Sequence, residues 1–87
     1  MNKTDLMNII TEVLIDHDLE GLISSGAPMD EYEPEAKAIA EFIINNRKAN
    51  QYQLVDNIQR TFLYYFDDFI DINDCMQVAE DILTRLV

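Results

Sequence analysis

Apolar residues recur three and four positions apart along four stretches of this chain, and between those stretches the rhythm stops. In the first, Leu6, Ile9, Ile10, Val13 and Leu14 share one side of a helix that Thr4 is placed to cap, with Asn8, Thr11, Glu12 and Ile15 on the other. His17 falls at the centre of that apolar side. A second helix opens around Pro34, whose missing N–H is harmless in a first turn, and carries Ala36, Ile39, Ala40 and Ile43 as far as Asn45 and Asn46. The third pattern is the strongest. Asn50 and Gln53 form a capping-box pair, and Leu54, Val55, Ile58, Phe62, Tyr65, Phe66 and Phe69 occupy about a third of the circumference of a helix running through residue 69. Asp71 or Asn73 caps a fourth helix, with Cys75, Val78, Ala79, Ile82, Leu83 and Leu86 on its buried face.

Gly21, Gly26, Pro28 and Pro34 mark residues 18–34 as the one long irregular segment. No stretch alternates with the period of a strand, so the expected fold is all-α. It is a compact four-helix bundle or an irregular four-helix fold, with one long acidic loop between helices 1 and 2. Residues 1–87 make one domain, and a chain of this size buries only around 60% of its unfolded surface, so its stability margin is thin.

Charge changes the picture from fold to function. The net charge is -11, and 15 of the 17 acids fall in two stretches without Lys or Arg, residues 4–36 and 61–84. A hydrophobic fraction of 48% is too high for a disordered acidic tail, so this charge sits on a folded surface. Such a surface repels itself and favours a cationic partner. With six basic residues the chain is poorly equipped to hold phosphates, which excludes direct nucleic-acid binding as the expectation. Its apolar runs are far shorter than the ~20 residues of a membrane span. A single cysteine, Cys75, and an opening unlike a signal peptide point to a reducing, cytoplasmic setting.

Candidate chemistry is sparse. Residues 16–21, Asp-His-Asp-Leu-Glu-Gly, imitate the start of a calcium loop, but Ala27 stands where its twelfth-position Glu belongs, so a solvated acidic turn is the better reading. Asp67, Asp68, Asp71 and Asp74 resemble a magnesium cluster, yet the first two leave the third helix on its polar side and the others suit the start of the fourth. His17 and Cys75 lie on apolar faces as packing residues, with nothing to make them a base and nucleophile. No metal or cofactor is expected, and the chain reads as a binding protein, not an enzyme.

Two places could hold a partner. Tyr65 falls with Phe62 and Phe69, whereas Tyr64 falls beside Asn57, Arg60, Asp67 and Asp68; Tyr64 therefore either anchors an interface or covers the edge of the core. In the loop, Asp30 and Glu31 precede Tyr32 ahead of the second helix, where Glu33 and Glu35 already have a use at the positive helix end. The predicted contact set is Asp30, Glu31, Tyr32, Tyr64, Asp67, Asp68 and Asp71. Ile15, Ile23 and Phe42, outside the predicted faces, either close a second interface or fill gaps.

The run Asp18-Leu19-Glu20-Gly21-Leu22, followed by Gly26-Ala27-Pro28-Met29-Asp30-Glu31-Tyr32 and then Glu35 and Ile39, resembles the YugE-like family of small helical bacterial proteins. The likeness spans residues 4–45 and departs where members carry Trp-Asp-Pro, here His17-Asp18-Leu19. It implies about four helices and no cofactor, and supplies no activity. In size, charge and its aromatic-acid face the chain is also similar to the acidic helical immunity proteins of bacterial toxin systems. That likeness implies a basic toxin partner, a nuclease domain above all, neutralised by covering or filling its cleft.

Overall fold

A computed structural model describes residues 2–86. It contains four helices, α1 (Lys3–His17), α2 (Glu33–Asn45), α3 (Gln51–Phe66) and α4 (Ile72–Arg85), and no strand among the described residues. Helices adjacent in the chain pack on one another, and α4 closes the ring against α1, in a body of 36 × 25 × 20 Å. The all-α, four-helix expectation holds.

Each stripe meets in one core. Ile10, Val13, Leu14, Ile39, Ala40, Ile58, Phe62, Val78 and Ile82 are wholly buried. Each large aliphatic or aromatic among them contributes about 1.5–3 kcal/mol relative to exposure. Partly buried Ile15, Ile23 and Phe42 pack against this core and so fill its margins. Cys75 is buried, as its apolar face predicts, and burial pushes its thiol up to about 11, which makes it a poor nucleophile.

The helix ends depart from the sequence pattern in informative ways. Asn2, not Thr4, caps α1, its side chain accepting from the Asp5 N–H at 2.8 Å. At α3 the capping box forms as expected, with Asn50 accepting from the Gln53 N–H at 2.9 Å and Gln53 accepting from the Asn50 N–H at 2.8 Å. Asn50→Ala removes half of it and should cost about 1 kcal/mol, read as a lowered urea midpoint with an unchanged slope. The helix then stops at Phe66, because Asp67 turns left-handed with φ 53°. Phe69 is consequently off the helix and 70% exposed, and Tyr65 is 45% exposed, so neither belongs to the core as predicted. Leu83 is likewise partly exposed. Asp71 caps α4, accepting from the Asn73 N–H at 2.8 Å.

His17 is not merely packed. Its Nε2 lies 3.1 Å from Asp81 Oδ2, while the Arg85 guanidinium reaches Asp16 at 2.7 Å, Asp81 at 3.0 Å and Glu12 at 3.7 Å. This network ties the end of α1 to the last turn of α4 and occupies the first oxygen of the calcium-like run. Arg47 and Lys48 lie exposed in the turn between α2 and α3, at the opposite end of α2 from Glu33.

Candidate partner-binding site

The α1–α2 loop, the start of α2, the last turn of α3 and the α3–α4 connection meet at one end of the molecule. Tyr32 fastens them. Its ring is fully buried, with its centroid 6.2 Å from those of both Phe62 and Phe66. Its hydroxyl donates to Asp18 Oδ1 at 2.7 Å and accepts from the Glu20 N–H at 3.0 Å. Tyr32 is therefore a core plug, which corrects its prediction as a surface contact: a ring with two satisfied hydroxyl bonds gains more by filling the gap above Phe62 than by facing water.

Asp18 organises the loop. It ends α1 in the left-handed conformation, and its carboxylate also accepts from the Ile23 and Ser24 N–H groups at 3.0 Å and from the Ser24 hydroxyl at 2.9 Å. Burial opposes its ionisation, but the hydrogen bonds from Ser24, Ile23 and Tyr32 win and hold the carboxyl well below the usual carboxylate range. The acidic turn at 16–21 is thus a built structure, not a solvated one.

Behind this scaffold stand two carboxyl groups that each bury an oxygen. Glu35, in the first turn of α2, is 3% exposed, and its Oε2 is buried with no hydrogen bond. Glu20 Oε2 is buried and unpartnered as well. Burial, a hydrogen-bond contact with Asp68 and the nearby charges of Asp68 and Glu35 push Glu20 up to about 7. Burial, aided by the charge of Glu31, also raises Glu35. The sequence pattern places Glu35 at the helix dipole alone and Glu20 in a solvated acidic turn, and neither as a buried group. The available signal was spacing: Glu35 precedes Ile39 by four residues and so shares the inward stripe of α2.

The outer surface of this end is aromatic and acidic. Tyr64 is 81% exposed and stacks edge-on against Tyr65, with centroids 4.9 Å apart. It is a surface residue and not a lid on the core. Tyr65 in turn lines a shallow depression of about 620 Å³ with Asp30, Glu33, Lys37 and Glu41. The structure so brings Asp30 next to the tyrosine pair and Asp68 next to Glu20. Glu31 and Asp67 are exposed, and Asp71 is exposed with its carboxylate engaged at the α4 cap.

One cation, Lys37, lines the depression, yet the acids of this end stay unpaired. Among the described residues, the ion pairs involve Glu12, Asp16, Glu41, Asp56 and Asp81, and no acid from 18 to 35 or from 67 to 80 is paired. Nor do three His, Cys, Asp or Glu side chains among these residues come together as a metal ion requires. No described helix is long and apolar enough to cross a membrane.

A family model described as a domain of unknown function (DUF1871) matches residues 25–85, which take in the Asp30–Tyr32 turn, the tyrosine pair and the α3–α4 connection. No curated protein and no solved structure matches the chain.

Proposed function

We propose, for a chain that belongs to the DUF1871 family of proteins of unknown function, that it is a binding protein which docks a basic protein partner on its acidic, tyrosine-bearing end. One observation carries this reading: Asp30 and Glu33 line a depression with Tyr65, the edge-on neighbour of the most exposed tyrosine, Tyr64, and like the other acids from 18 to 35 and from 67 to 80 they make no ion pair among the described residues. Burying Tyr64 against a partner supplies area at low entropy cost, and the surrounding carboxylates steer and orient cations. Asp30, Glu31, Asp67, Asp68 and Asp71 make the charged rim.

Within this reading the partner is a toxin nuclease, whose cleft for nucleic acid is the cation-rich surface such an end fits, and the chain acts as its cytoplasmic immunity protein. The finer placement among YugE-like proteins belongs to the same proposal. Covering the cleft is enough; no catalytic residue is needed. The alternative is an acidic interaction module with no toxin partner, for which the surface serves solubility.

Association with a basic nuclease toxin, if one is encoded beside it, followed at low and high salt, separates the two. Immunity predicts tight binding whose on-rate falls steeply as salt rises. Tyr64→Ala should weaken that complex by about 1–2 kcal/mol or more while moving the unfolding free energy by less than about 0.5 kcal/mol. Salt-indifferent association, or none, would remove the reading.

A further inference from the structure

We infer that the cleft between α1, α2 and α4, at the far end of α2 from the acidic loop, binds an amphiphilic monocarboxylate, its alkyl chain inside and its carboxylate on Arg47. This end lies apart from the docking surface and needs none of its residues. Leu6 near the start of α1, Ile43 and Ile44 at the end of α2 and Leu86 at the cap of α4 line a depression of about 200 Å³, together with exposed Arg47. Three helices thus bring aliphatic side chains and one guanidinium to a single space.

Two observations say what fits. Ile43, Ile44 and Leu86 pack against the core and yet are only partly buried, so apolar surface is left wet where the three helices meet. Closing it over a hydrocarbon chain releases that water. A cavity of about 150 Å³ lined by Leu, Ile and Phe holds benzene, so 200 Å³ takes an alkyl chain of about six carbons. The second observation is Arg47 itself. In a chain with 17 acids its guanidinium makes no ion pair among the described residues, whereas Lys3, Arg60 and Arg85 each hold one. A guanidinium is a planar fork that meets a carboxylate through two parallel hydrogen bonds, and its single charge is balanced by one such group.

The surroundings admit an anion in spite of the net charge of -11. Glu41, three residues before Ile44, is held by Lys3 at 3.2 Å. Carbonyls at the end of α2 would repel a carboxylate, but Asn46 already gives its Nδ2 to the Phe42 oxygen at 2.9 Å and its N–H to the Ile43 oxygen at 3.4 Å. A smaller depression of about 110 Å³ shares Ile43 and Arg47 and brings in Asn50. Since Asn50 Oδ1 accepts from the Gln53 N–H, its NH₂ group is left as a further donor to the carboxylate. The unpaired acids of the loop lie beyond the other end of α2, whose length of about 20 Å exceeds two Debye lengths at physiological salt.

Methyl NMR spectra of the full chain, titrated at neutral pH and physiological salt with hexanoate, acetate and hexan-1-ol, test the site. Hexanoate should move the Leu6, Ile43, Ile44 and Leu86 methyl signals saturably, with a Kd of roughly 1–10 mM for a ligand of its size. Acetate, which lacks the chain, should bind about tenfold more weakly or worse, and hexan-1-ol, which lacks the charge, about fivefold. Arg47→Gln, a surface change, should weaken hexanoate about fivefold and leave hexan-1-ol within about twofold. Lys48→Gln removes the same charge from the next residue and should weaken hexanoate by less than about twofold. Leu86→Trp should fill the cleft and abolish binding of both, with melting curves keeping loss of fold distinct from loss of binding. Hexanoate no tighter than acetate, equal weakening by Arg47→Gln and Lys48→Gln, or no saturable shift at the four lining residues would overturn the site.

Discussion

Replacing Tyr32 with alanine is expected to remove about 3–5 kcal/mol of stability, among the largest effects of a single change at the end where the α1–α2 loop packs. The ring is wholly buried between the α1–α2 loop and Phe62 and Phe66, so its deletion leaves a cavity that a loop held by hydrogen bonds cannot collapse to fill. A chain of this length has a total stability of roughly 4–13 kcal/mol, so the variant should sit near the edge of folding. Tyr32→Phe isolates the hydroxyl. It should cost about 1–2 kcal/mol, because the Glu20 N–H loses its acceptor and Asp18 loses a donor. Urea unfolding measures both. If Tyr32 were the surface contact its polar neighbours suggest, both variants would unfold within about 0.5 kcal/mol of the parent.

The second large effect is an inverted response to acid. Most proteins lose stability as their carboxylates gain protons, but Glu20 has a folded value of about 7 against an ordinary 4.5. The native state then holds a proton that the unfolded state releases between those values. Stability contributed by that proton is full below about 4.5 and is lost as pH rises through 7. Buried Glu35, also raised, acts in the same direction. Discounted for the water that still reaches Glu20, the gain from pH 8 to pH 5.5 is about 1–2 kcal/mol, or roughly 5–10 °C in Tm. Further acid should reverse the trend. Asp18 is depressed, so the stability it lends is present above its ordinary value near 3.8 and is lost as pH falls below it. Glu20→Gln should raise Tm at pH 8, leave it nearly unchanged at pH 5.5, and so flatten the curve. A Tm that falls steadily from pH 8 to 5.5 would show that these carboxyls are ionised in the native state.

Much of the architecture was legible because it is written locally. Stripes at Leu6–Leu14, Ala36–Ala40, Leu54–Phe62 and Cys75–Ile82 gave the helices and the core, since a buried helical face must repeat with the period of the helix. The site was legible in charge and only partly in geometry. Tyr64 stands where the 100° step puts it, and Asp30 and Asp68 lie at one end with it. Phe69 was misplaced because the pattern continues past a point where the backbone turns left-handed at Asp67, a conformation aspartate tolerates and periodicity does not register. Tyr32 was misplaced because burial of a loop residue depends on what other elements bring above it, here Phe62 and Phe66, thirty and more positions away. The His17–Asp81 pair and the Arg85 network span more than sixty residues, and the buried oxygens of Glu20 and Glu35 arise only once three elements meet. Local sequence contains none of these distances.

Arg47 and Lys48 crown the far end of α2, and the unpaired acids crown the near one. The molecule is therefore a lengthwise electric dipole as well as an anion, and a field from a cationic surface exerts a torque on it before any atoms meet. Under the proposed docking role, such a field would turn the end that carries Tyr64 and Tyr65 towards the partner ahead of contact and so shorten the rotational search.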